Sequence, residues 1–158
     1  MARYKEIDWA KLADASRFTY RVSVEGYRPG RACMVVVDLL DGTEVIGTTT
    51  TNMFNCPVSV AVVRCLTKAA RMLKYYRRLG EVSCSIELAD VPTYWLLTGT
   101  RVSAHTAEKR AMAALRKEFS GFNSTTVVLV ASDKSINNAP VDWLNYPYGN
   151  RKNTRRSR

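Results

Sequence analysis

Residues 32–52, ACMVVVDLLDGTEVIGTTTTN, read as two β-strands hinged on Asp41-Gly42. Val, Ile, Leu and Thr crowd both halves, and an Asp-Gly pair between β-rich runs is a strong short-range hairpin signal. Immediately upstream, Phe18, Tyr20, Val22 and Val24 alternate with Thr19, Arg21 and Ser23, which is the period of a half-buried strand. Between these runs GYRPGR supplies Gly26, Pro29 and Gly30 to bend the chain. The three runs predict an antiparallel meander.

Beyond the meander the period lengthens. Pro57 suits a first helical turn, and Val58, Val62, Leu66, Ala69, Leu73 and Tyr76 then recur at three- and four-residue spacing up to Gly80. VSCSIEL at 82–88 predicts a fourth strand, leading through Asp90 and Pro92 into a short helical stretch, TYWLL. Residues 104–119, AHTAEKRAMAALRKEF, are strong helix formers with a stop at Gly121. TTVVLVA at 125–131 predicts a fifth, buried strand, SDKSINNAP a loop, and VDWLNY a short terminal helix. No internal repeat is present, and the order predicts an α/β domain with helices packed on a mixed sheet. RYKEIDWAKLADAS near the start predicts a short appended helix or arm.

The chain has 158 residues, of which 46% are hydrophobic and 24% charged, enough for one domain with its own core. No apolar stretch reaches the roughly 18 residues a membrane span needs, and MARYKEIDWAKLAD carries acids where a signal peptide is apolar. The expected compartment is the cytoplasm or its equivalent, without secretion or membrane partners. Cys33, Cys56, Cys65 and Cys84 form no CxxC pair, so free thiols are expected rather than zinc or disulfides.

The formal charge of +10, from 24 Lys and Arg against 14 Asp and Glu, favours a polyanionic partner. Arg64, Lys68, Arg71, Lys74, Arg77 and Arg78 follow Pro57 with no acid before Gly80, so this helix carries a cationic stripe that its own sequence does not oppose. Arg151, Lys152, Arg155, Arg156 and Arg158 make the tail basic as well, and Arg28 adds a charge in the first bend. Tyr27 and Tyr75 are candidates for stacking on bases, and the Thr-rich run at 48–52 for contacts to a nucleic-acid backbone.

In order and spacing, four segments resemble the ribonuclease H-like superfamily over roughly residues 18–148. RVSVEGYRPGR resembles a first strand ending in an acid and a Gly/Pro turn. VIGTTTTNMFNCPVSVAVVRCLTKA resembles the third strand, its Thr/Asn-rich turn and the first long helix. SIELADVPTYW is similar to a fourth strand ending in an acid, and VASDKSINNAPVDWL to the loop and helix that deliver the last one. The resemblance implies a five-stranded mixed sheet, three antiparallel strands and then parallel ones, flanked by helices. It divides the chain into an N-terminal extension at 1–17, the domain at 18–148 and a flexible basic tail at 149–158.

The resemblance also implies a carboxylate centre for Mg²⁺ or Mn²⁺ that hydrolyses phosphodiesters, carried by Glu25, Asp90 and Asp142. At the place of the family's second acid this sequence has Ser59, and no Asp or Glu occurs between Val45 and Gly80. The first acid is Glu25 where the family prefers Asp, and the loop that usually carries a histidine has Asp133-Lys134, while His105 lies elsewhere. The reading therefore favours binding of RNA or an RNA/DNA hybrid over catalysis. Two alternatives stay open: an active Mg²⁺-dependent ribonuclease H-type endonuclease, and a basic component of a ribonucleoprotein or viral assembly with protein partners.

Overall fold

A computed structural model describes residues 15–25, 33–53, 56–75, 78–103, 106–131 and 134–140. The chain opens with strands β1 (Arg17–Glu25), β2 (Cys33–Asp41) and β3 (Glu44–Met53), followed by helix α1 (Val58–Lys74) and strand β4 (Ser83–Leu88). Helices α2 (Val91–Thr98) and α3 (Thr106–Phe119) come next, and then strands β5 (Ser124–Ala131) and β6 (Lys134–Pro140).

The six strands lie in the order β3-β2-β1-β4-β5-β6. β1 to β3 form the antiparallel meander, with Val22 opposite Val37 and Val37 opposite Thr49. Its hairpin closes at Gly42, whose φ of +67° lies in the left-handed region that glycine reaches without a Cβ clash. β4 then joins β1 in parallel, Arg21 beside Glu87, and β5 joins β4 in parallel. This is the expected five-stranded arrangement, and β6 extends it. Residues 134–140, expected as a loop, instead pair antiparallel with β5. Their sequence, KSINNAP, lacks alternating apolar residues, so the strand left no periodic signal.

One face of the sheet packs against the helices. Phe18 and Tyr20 of β1, Val35 and Val37 of β2, Ile86 of β4 and Val127 of β5 join one core with Leu66, Leu73, Leu115 and Phe119. Tyr20 stands against the rings of Phe119 and Phe122, with centroids 5.8 and 6.2 Å away. Its buried hydroxyl finds no hydrogen-bond partner among the described residues, and burial pushes its pKa well above the usual tyrosine value. α1 is buried on most sides, leaving an exposed ridge of Arg64, Lys68, Arg71, Met72 and Lys74.

Several expectations fall outside the described residues: the N-terminal helix or arm, the terminal helix containing Asp142, and the basic tail. Arg28, Tyr27, Tyr76, Arg77, His105 and Trp143 lie outside them too. Among the described residues no helix is long and apolar enough to cross a membrane. Cys65 and Cys84 are buried free thiols as expected, Cys56 is a half-buried one, and the side chain of Cys33 lies outside the described residues.

Candidate functional site

Because β1 and β4 run in the same direction, their last residues reach the same end of the sheet. Glu25 closes β1 four residues beyond Arg21, and Asp90 follows β4 three residues beyond Glu87, the partner of Arg21. A cleft of about 420 Å³ adjoins these ends, lined by Arg21, Ser23, Glu87, Leu88, Ala89 and others. Across its wall Arg21 Nε meets Glu87 Oε1 at 3.4 Å. Two of the acids expected from the sequence are thus brought to one end, and Asp142 lies outside the described residues.

Asp90 has a second role. It is the N-cap of α2, and its Oδ2 accepts hydrogen bonds from the Thr93 N–H at 3.1 Å and from the Thr93 hydroxyl. Satisfying an orphan donor in the first turn is what an Asp at this position ordinarily does. The helix it starts exposes Val91 and Trp95 one turn apart, an apolar strip beside the cleft that sequence reading did not single out.

Ser59, at the place of the family's second acid, is buried at the start of α1. Its hydroxyl donates to Glu108 Oε2 of α3 at 2.5 Å, within the range of a charge-assisted bond. Arg101 holds the same carboxylate with both arms of its fork, Nη1 to Oε1 at 3.1 Å and Nη2 to Oε2 at 2.7 Å. Arg101 is itself anchored by Nε on the Pro92 carbonyl at 3.0 Å. Ser59, expected from the sequence at the place of the family's second acid, is therefore built into a buried clamp joining α1, α3 and the segment after α2.

Among the described residues no group of three His, Cys, Asp or Glu side chains gathers to hold a metal ion. Asp90 caps a helix and Ser59 donates to Glu108, so both side chains are engaged within the chain. Burial pushes the Cys84 thiol up to about 12 against the bond from Thr125, and burial raises Cys65 and Cys56 as well.

The cationic stripe needs a correction. No acid lies on α1, but Glu118 of α3 opposes its last turn: Arg71 Nε meets Glu118 Oε2 at 3.1 Å, and Lys74 Nζ meets Oε1 at 2.8 Å. The bond from Lys74 leads in holding the Glu118 carboxyl below the usual glutamate range, with Arg71 adding to it against the opposing effect of burial. Lys68 is exposed and gives its Nζ to the Thr50 carbonyl at 3.0 Å, while Arg64 and Arg78 are exposed. Tyr75, 81% exposed at the end of α1, stands in solvent as expected.

The Thr-rich strand spends part of its polarity internally. Thr48 donates to Asp38 Oδ1 at 2.8 Å, and Thr49 points at Met72 Sδ. Glu108, Arg101, Glu118 and Arg110 were missed by the sequence reading. The first and third had a signal, since Glu108 and Glu118 fall on the same helical stripe as Ala111, Met112, Leu115 and Phe119.

A mixed sheet opened by a three-stranded meander, continued by parallel strands and covered by helices, has the ribonuclease H-like fold. Solved structures agree with this. The chain is similar to the ribonuclease H1 of the halophilic archaeon Halobacterium salinarum at 13% identity and a TM-score of 0.61, over 73% of this chain and 86% of that one. It is similar to the LC11 ribonuclease H1 in complex with an RNA/DNA hybrid at 12% identity and a TM-score of 0.64, over 75% and 88%. The N-terminal ribonuclease H domain of a Mycobacterium tuberculosis protein gives 10% identity and a TM-score of 0.62, over 73% and 87%. No family model matches the sequence, and no curated protein matches it.

Proposed function

We propose that this protein binds RNA or an RNA/DNA hybrid through a ribonuclease H-like fold whose catalytic centre is degenerate. The observation that carries this reading is the Ser59 hydroxyl donating to a Glu108 carboxylate that Arg101 already neutralises. A helix acid at position 59 would stand against another carboxylate in a buried place, where like charges repel strongly. The fold, the +10 charge and the exposed cations of α1 support the binding half of the reading. One solved structure of the same fold is of a ribonuclease H1 in complex with an RNA/DNA hybrid.

A second reading, a Mg²⁺-dependent hydrolase using Glu25, Asp90 and Asp142, draws on the shared strand end of the first two. One experiment separates the two. The purified protein is incubated with labelled hybrid, duplex and single-stranded RNA in Mg²⁺ and in Mn²⁺, beside the Asp90→Asn variant. Retention of the nucleic acid without cleavage is expected. Cleavage that disappears in Asp90→Asn would install the hydrolase, and failure to bind any of them at low salt would favour the assembly component.

A further inference from the structure

α1 and α3 run side by side in the same direction, as their pairings show: Ser59 meets Glu108 at one end and Lys74 meets Glu118 at the other. Between their outer edges lies a groove of about 340 Å³. Its walls are Arg64, Lys68 and Arg71 from α1 and Arg110 from α3, and small residues such as Thr67 and Ala111 line it between them. Among the described residues no acid and no aromatic residue lines it.

Four cations facing one concavity repel one another, and a concave wall of a single sign focuses the field toward an incoming anion. At the end of the groove Arg71 is shared with Glu118, which also pairs with Lys74. Arg64 and Arg110 are exposed and make no ion pair among the described residues. At about 1.5 Å of rise per residue, Arg64 and Arg71 stand about 10 Å apart along α1, so the cations form an extended row along the groove and not a single point of charge. With no aromatic side chain among the described residues that line it, such a surface reads charge and not base identity.

We infer that the α1 and α3 groove seats the sugar-phosphate backbone of one nucleic-acid strand, without sequence preference, and that Arg110 is the cation that completes it. The inference rests on the nucleic-acid reading above and gives that binding a place in the helical layer, away from the strand-end cleft. Lys74, although on the same helix, takes no part because it does not line the groove.

The test is the salt dependence of binding to single-stranded RNA and to an RNA/DNA hybrid, for the full chain and for the double variant Arg64→Gln, Arg110→Gln. Both side chains are exposed, so the fold is kept, and circular dichroism verifies it. Each lost phosphate contact removes about 0.7 from the slope of log K against log salt on a single strand, so the double variant is expected to lose about 1.4. Lys74→Gln is expected to leave the slope in place. Binding that persists with an unchanged slope in the double variant overturns the groove and spares the nucleic-acid reading. An intact chain that binds no nucleic acid at low salt overturns both, as does binding confined to phosphatidylserine vesicles.

Discussion

α3 turns two carboxylates inward, and the two ends of the helix treat them differently. Glu108 is enclosed with a guanidinium fork on one side and a serine hydroxyl on another, and the Arg101 side chain is only 28% exposed. Glu118 is as buried, yet its partners Arg71 and Lys74 are each about half exposed, at 52% and 54%. The first is an internal clamp whose members depend on one another. The second is a surface arrangement in which water screens the cations and either one can stand in for the other. Ser59 belongs to the clamp, so placing a carboxylate there conflicts with packing as well as with charge.

The clearest way to break this comparison is to remove one cation at each end. Arg101→Ala takes the guanidinium fork away from the buried Glu108 carboxylate, which should cost about 3–5 kcal/mol. The measurement is the urea midpoint at neutral pH, and a loss no larger than that of Arg71→Ala would show that Glu108 is far better solvated than its burial implies. A smaller effect is expected from Ser59→Ala, which removes one hydrogen bond to a charged group but leaves the fork intact, about 1.5–2 kcal/mol. A neutral outcome there would mean that the hydroxyl is not needed at this position, and the clamp would reduce to an ordinary ion pair.

The elements of the fold were legible because their signals are local. Alternation marked β1, Asp41-Gly42 marked the hairpin, and the spacing of Val58, Val62, Leu66, Ala69 and Leu73 marked α1. β6 was not legible, since KSINNAP lacks the apolar alternation that marks a strand. The site was legible only in part for a related reason. Glu25 and Asp90 could be brought to one sheet end by strand order, whereas the parallel pairing of α1 with α3 joins residues about fifty positions apart, Ser59 with Glu108 and Lys74 with Glu118. A stripe that looks unopposed along one helix can therefore be opposed by its neighbour, and no periodicity within α1 carries that information. The same pairing hid Arg110, whose value depends on the helix beside it.

The mildest perturbation is the most informative about the surface end. Glu118 has its pKa lowered by Lys74 and Arg71, so the folded chain favours its ionised form more than the unfolded chain does. Its contribution is then fully present above the ordinary glutamate value of about 4.3 and is lost as pH falls through that value and the lower folded one. Glu118→Gln should cost about 1 kcal/mol at pH 7, discounted for the exposure of its partners, and the variant and the parent should converge on acidification. Chemical denaturation of both proteins at pH 7 and near pH 3 measures the difference. A gap that stays constant across that range would assign the loss to packing of the buried side chain, and the distinction between a screened end and an enclosed end of α3 would fail with it.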